Sequence, residues 1–228
     1  MTTSRSEFLL GIRDELPILS GVLPFGMIYG VSAISVGIPA SIAQAMSCIV
    51  FAGSAQFVIT QLIAAGTPSP VVILTAFIVN IRHILYSASI APYTRKLHPL
   101  WKLLLAYLLT DEAYAVTISH YQKTGDDEQK HWYFLGAGLA LWTTWQLSTA
   151  AGIFLGGQIP AGWSLDFAAT LTFIALVVPA LKDRASTAAA LTAALAALLA
   201  NALPMKLGIA IAALTGIAVG FTMEMKKK

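Results

Sequence analysis

The run VVILTAFIVNIRHILYSASI, residues 71–90, places Asn80, Arg82 and His83 midway through an otherwise apolar stretch. About 20 apolar residues are enough to cross a bilayer, and an ionisable group inside such a stretch costs several kcal/mol, so it marks a functional site by default. Just upstream, Phe51-Ala52-Gly53-Ser54-Ala55-Gln56-Phe57 sets small residues and an amide into another apolar segment, a composition that permits a broken or closely packed helix.

The rest of the chain agrees with a membrane setting. Of 228 residues 57% are hydrophobic and 11% charged, and the mean hydropathy is +0.74, well outside soluble globular composition. The apolar runs are helix-length rather than the roughly ten-residue alternating segments of a barrel. The sequence therefore predicts an all-α polytopic membrane protein in a single domain, 1–228, with about eight hydrophobic segments, some of them broken or re-entrant. They fall at 17–37, 40–65, 69–92, 101–120, 132–156, 164–181, 185–202 and 205–223. Residues 1–16 mix both charge signs, unlike a signal peptide, and are expected to be retained as a short cytoplasmic amphipathic segment.

The net charge of +3 comes from cations in short loops and at the termini, which points to membrane orientation rather than a nucleic-acid partner. If all eight segments cross and the amino terminus is inside, nine cations lie inside and Arg95, Lys96, Lys102 and Lys206 outside. The pair Arg95 and Lys96 fits that scheme worst. One re-entrant segment among the first three would bring it inside, but leaves six cations in and seven out. Cys48 is the single cysteine and lies in an apolar segment, so a buried inert thiol is expected.

Three further features carry chemistry. Pro24, Gly26 and Gly30 sit inside the first segment, where a lost backbone hydrogen bond and small residues allow either a helix break or tight packing. On the third segment Asn80, His83 and Ser87 share one face, and Arg82, Tyr86 and Ser89 lie roughly opposite. Neither face suits lipid, so that helix is expected to be the central element, surrounded by protein or water. The fourth segment brings Thr110-Asp111-Glu112 to a similar depth. In an antiparallel hairpin Arg82 would meet Asp111 or Glu112, and Tyr107, Thr110, Asp111 and Tyr114 would share a face. Zinc, phosphate-loop and serine-nucleophile motifs are missing. His98, His120 and His131 read as interfacial, and no cofactor or ATP site is evident. A faint echo links Ile38-Pro39-Ala40 with Ile159-Pro160-Ala161, as duplicated bundles would.

Pro24-Phe25-Gly26 with Tyr29-Gly30, the run from Phe51 to Phe57, Asn80-Ile81-Arg82-His83 with Tyr86-Ser87, and Thr110-Asp111-Glu112 with Tyr114 closely resemble the AzlC family of branched-chain amino-acid permeases. The resemblance covers about residues 15–160. It implies a multi-pass exporter of branched-chain amino acids in a bacterial inner membrane, working with a small AzlD-like membrane subunit. An amino-acid zwitterion needs an acceptor for its ammonium, a donor for its carboxylate and an apolar pocket. Asp111 or Glu112 is expected to take the ammonium. Arg82, or backbone amides around Gly53, Ser54 and Ala55, would take the carboxylate, with Asn80, Gln56 and Tyr86 orienting the substrate. A gradient would supply the energy, His83 and the unpaired acid being the groups that could titrate. A structural or channel subunit and an intramembrane enzyme are the alternatives.

Overall fold

The computed structural model describes residues 3–123, 129–158, 181, 183–200 and 207–225. The expected segment 164–181 lies almost wholly outside these, as do Lys182, Lys206, the terminal lysines and the second Ile-Pro-Ala. The described residues form helices joined by short turns. They are α1 (Ser4–Ser35), α2 (Ala40–Val50), α3 (Gly53–Ala64), α4 (Ser69–Asn80), α5 (Arg82–Thr94), α6 (Pro99–Tyr107), α7 (Asp111–Lys123), α8 (Lys130–Gly156), α9 (Arg184–Leu199) and α10 (Leu207–Met225). By internal packing the chain falls into two compact units, 1–172 and 173–228.

In the first unit the core is the pair α1 and α8. A Cβ added to Gly11 would lie 2.1 Å from the Tyr133 carbonyl oxygen, one on Gly136 2.1 Å from that of Phe8, and one on Gly152 2.1 Å from that of Met27. Glycine at these places lets two backbones touch, the small-residue packing used between helices in lipid. Residues 8, 27 and 31 on α1 meet 136, 152 and 156 on α8 in ascending order, so the two helices run parallel. Gly11, Gly26 and Gly30 recur as Gly136, Gly152 and Gly156, 125 or 126 positions later.

Two expectations about α1 are corrected. The helix runs unbroken through Pro17 and Pro24, so Pro24, Gly26 and Gly30 do not mark a break. Gly26 instead admits the Ser148 hydroxyl, and Gly30 the backbone at Thr149. Residues 4–16 form no separate amphipathic segment either. A capping box between Thr3 and Ser6 starts α1 there.

The second apolar segment breaks within the run that permits a broken helix, and the fourth, expected as one span, breaks as well. Each is split: α2 stops at Phe51, which adopts a left-handed conformation (φ 39°), and α6 stops before residues 108–110. At about 1.5 Å per residue the four pieces rise roughly 14–20 Å each, short of the roughly 30 Å of bilayer hydrocarbon. Contacts give their directions. Phe57 meets both Phe25 and Tyr29, and Gly53 meets Phe25, so α3 runs parallel to α1, while α2 descends from the turn at residues 36–39. Trp101 packs on His131 and Trp132, and Leu108 on Gly138, so α6 ascends beside α8. His120 meets Glu7, and Tyr121 meets Lys130, so α7 turns back to the end where α6 began. Thus α2–α3 and α6–α7 are re-entrant hairpins entering from opposite ends, their tips meeting at mid-height.

The α4–α5 pair, long and apolar enough to span a membrane, connects the two hairpins. It is not the central element. α4 buries no residue and α5 buries Ile90; Phe77 and Leu85 are about 70% exposed, at 71% and 68%. Arg82, His83, Tyr86 and Ser89 are half-buried, whereas Ile73, Leu74, Phe77, Ile78, Ile81, Ile84 and Leu85 are exposed, with Ser87 among them.

This arrangement resolves the charge problem. Arg5, Arg13, Arg95, Lys96, Lys102, Lys123 and Lys130 all lie toward one end of the unit, whereas the turns at 36–39, 65–68 and 157–158 carry no cation. The eight-crossing scheme, with Arg95 and Lys96 outside, is therefore corrected, and the positive-inside rule assigns the cation-rich end to the cytoplasm as an expectation.

In the second unit, α9 begins with a capping box between Asp183 and Ser186. It packs antiparallel on α10, where Gly216 and Gly220 admit Ala193 and Ala189.

Candidate functional site

Because each hairpin breaks at mid-height, the helix starts at Gly53 and Asp111 bring backbone N–H groups without intrahelical partners to one place. The Phe51 backbone is strained, a non-glycine left-handed residue costing roughly 1–2 kcal/mol, and is held by packing: its side chain is buried and its ring lies 5.9 Å from Tyr107. The Tyr107 hydroxyl donates to the Cys48 carbonyl (2.6 Å) and accepts from Trp142 Nε1 (2.7 Å). One hairpin thereby satisfies a carbonyl at the broken end of the other. The Cys48 thiol is half-buried and donates to Gln146 Oε1 at 3.1 Å.

Between the tips lies a cavity with about 40 Å³ open to water centres, enough for a few waters. Gly53, Ser54, Arg82, His83, Asp111 and Glu112 supply its polar lining. Val22, Phe25, Phe51, Leu141 and Trp145 supply its apolar walls. A Cβ on Gly53 would sit 2.7 Å from the Phe25 ring and 3.0 Å from Trp145, so glycine is what lets the aromatic wall close over the start of α3.

Arg82 clasps both hairpins. Its Nη2 lies 2.9 Å from Asp111 Oδ2 on α7 and 3.3 Å from Ser54 Oγ on α3. Its Nε is buried and has no partner among the described residues. The other oxygen of Asp111 accepts from the Tyr86 hydroxyl at 2.6 Å, Tyr86 stacks on Tyr114 with ring centres 4.4 Å apart, and Tyr114 donates to Ser89. The expected face Arg82, Tyr86, Ser89 is thus the one turned to α7. The pairing arises differently from the expected antiparallel hairpin: α5 and α7 run parallel, with 82, 86 and 89 meeting 111 and 114 in ascending order. The break at residues 108–110 likewise removes the common face expected for Tyr107, Thr110, Asp111 and Tyr114.

The other expected residues are placed as follows. Glu112 lines the cavity within electrostatic reach of Arg82 and Asp111, and its carboxylate interacts with Thr110. His83 also lines it, one ring nitrogen 3.0 Å from the Asn80 carbonyl oxygen. Asn80 is half-buried outside the lining, with Oδ1 unpartnered among the described residues. Ala55 and Gln56 are buried behind the lining, Gln56 Oε1 accepting from Trp145 Nε1 at 3.1 Å.

Sequence reasoning missed Trp145 and Gln146, and placed Tyr107 on the face of the fourth segment without giving it a role. Gln146 ties α8 to α2, accepting from Gln44 and donating to the Ser47 carbonyl. The signal was present in Trp142-Thr143-Thr144-Trp145-Gln146, a polar and aromatic cluster inside an apolar run. His120, expected at the interface, is instead mostly buried against Glu7 (3.1 Å) and stacked on Tyr133.

Paired half-helices converging on a charged cavity, on helices of membrane-spanning composition, define a membrane transport protein. The model of the AzlC protein family matches residues 17–159, and the chain belongs to that family. It is 28% identical over 226 residues, 95% of this chain and 92% of the relative, to the inner membrane protein YgaZ of Escherichia coli. It is 29% identical over 180 residues, 76% and 69% of the two chains, to the branched-chain amino acid transport protein AzlC of Bacillus subtilis. An uncharacterized membrane protein of Archaeoglobus fulgidus is 30% identical over 181 residues, 78% and 77% of the two chains. No solved structure matches the chain.

Proposed function

We propose that the protein exports branched-chain amino acids or close analogues across a bacterial inner membrane, driven by an ion or proton gradient and assisted by a small AzlD-like membrane subunit. The observation that carries this reading is Arg82, bonded to the tips of both hairpins while its Nε stays unpartnered among the described residues. A substrate carboxylate would take that donor together with the free amides at the start of α3, whose helix dipole favours an anion. Asp111 already serves Arg82 and Tyr86, which leaves Glu112 as the acceptor for the ammonium group. The apolar walls formed by Val22, Phe25, Phe51, Leu141 and Trp145 match a branched aliphatic side chain in chemistry, and the cavity, which holds a few waters here, must widen to admit it.

The same geometry suggests how the site alternates. Each hairpin plugs the path from one membrane face, so opening requires only one tip to leave Arg82 at a time. Substrate competing for Arg82 weakens the clasp, which couples occupancy to movement through differential affinity for the two states.

A scaffold or channel subunit is favoured by one fact, that Arg82, Asp111 and Tyr86 also satisfy one another. Flux of L-leucine against D-leucine in proteoliposomes holding the full chain, with and without the small subunit, separates the readings. Saturable, stereospecific flux enhanced by an imposed gradient is the expected result. Equal passage of both enantiomers, or no leucine flux with the small subunit present, refutes the exporter.

A further inference from the structure

A second group of ionisable side chains lies between the central cavity and the cation-rich end, on α1, α7 and α8, and the substrate site uses none of it. At its centre is Glu15, fully buried, with both carboxyl oxygens lacking a hydrogen-bond partner among the described residues. An ionised carboxylate in that setting is among the most expensive groups a membrane helix can carry, and such residues mark ion or proton pathways.

Glu15 has ionisable neighbours on both sides. Toward the site, its carboxyl group lies within electrostatic reach of Glu112 on α7. Toward the cation-rich end lies Tyr133 on α8, within electrostatic reach of Glu15, Asp14 and Glu7. The Tyr133 hydroxyl donates to Asp14 Oδ2 at 2.8 Å, and its ring stacks on His120 at 3.8 Å. Asp14, His120 and Tyr133 then line a second, open cavity of about 420 Å³, with Lys123 at its edge. Of the other helices packed on α1, α2 carries Cys48 as its only titratable side chain and α3 carries none.

We infer that Glu15 is a proton carrier joining the substrate cavity to this second cavity, along a route separate from that of the amino acid. The hop from the site breaks the O–H bond of a protonated Glu112 and forms one on Glu15. For release Glu15, unbonded at rest, turns to the Tyr133 oxygen; its O–H bond breaks as Tyr133 accepts the proton and passes its own hydroxyl proton to Asp14, from which water in the second cavity removes it. One proton moves and no other reactant is consumed. The inference rests on the transport reading above and specifies its coupling ion.

The test compares wild type, Glu15→Gln and Glu15→Asp as full chains with the small subunit in proteoliposomes. Leucine movement driven by a pH gradient is measured beside leucine–leucine exchange at equal pH, which needs no net proton transfer. Glu15→Gln is expected to lose gradient-driven accumulation while keeping exchange, and Glu15→Asp to restore part of the accumulation. Unchanged accumulation in Glu15→Gln overturns the relay, and so does equal loss of both modes in a protein whose melting temperature is unchanged. Infrared difference spectra in detergent give a readout independent of substrate. The carbonyl stretch of a protonated carboxyl should change with pH in wild type and vanish in Glu15→Gln, and its absence from wild type also overturns the relay. Wild type without leucine flux but with that band refutes the leucine assignment and leaves the relay standing.

Discussion

Replacing Arg82 and Asp111, singly and together, separates a binding site from a helix clasp. At 2.9 Å the two charges attract by roughly 6 kcal/mol at an effective dielectric near 20. Their side chains are 31% and 37% exposed, so solvent screening and the cost of ordering take back much of that. The net loss on removing one partner should fall between the surface and buried cases, about 2 kcal/mol. For a chain of this size that lowers the melting temperature by roughly 4–8 °C. Arg82→Gln leaves Asp111 held by Tyr86 alone, and Asp111→Asn leaves Arg82 on Ser54 alone. The double variant carries no uncompensated charge and should regain most of the lost stability. Leucine flux at matched membrane abundance then decides. Both single variants and the double variant should be inactive, because the carboxylate donor is gone in two of them and the hairpin clasp in all three. Wild-type flux in the double variant would refute the reasoning and leave Arg82 and Asp111 as packing residues.

Other outcomes follow from the same geometry. Gly136→Val drives a side chain into the Phe8 backbone and should destabilise by at least about 1–3 kcal/mol, read as a lower melting temperature; no change would mean that α1 and α8 do not touch. Tyr107→Phe strips the Cys48 carbonyl and Trp142 of a shared partner, at a cost of about 1 kcal/mol. Because that bond links the hairpin tips, leucine exchange should slow more than stability falls, and an unchanged exchange rate would count against the linkage.

The site was more legible than the path of the chain. Arg82, Asp111 and Glu112 stand out because charge is costly in an apolar run, and the face shared by Arg82, Tyr86 and Ser89 follows from helix periodicity alone. The first break was half legible, since the run from Phe51 to Phe57 permits a broken helix, and the second was hidden; the turning residues at both, Phe51-Ala52 and Leu108-Leu109-Thr110, include no proline and no glycine. Residues 40–65 therefore read as one span. The available clue was electrostatic, since Arg95 and Lys96 cannot be brought inside at no cost to the other cations unless two segments re-enter rather than one. Glu15 was concealed by its company among Arg13, Asp14 and Glu7, where a buried acid and a solvated one look alike in sequence.

The central claim is that a substrate site forms where two hairpins enter from opposite faces, and cysteine labelling tests it most directly. In a Cys48→Ser background, Ala65→Cys and Lys96→Cys occupy exposed turns that the two topologies place on opposite sides. An impermeant maleimide applied to intact cells is expected to label position 65 and to reach position 96 only after the inner membrane is permeabilised. Labelling of position 96 from outside, with position 65 protected, would restore eight full crossings and contradict the paired hairpins.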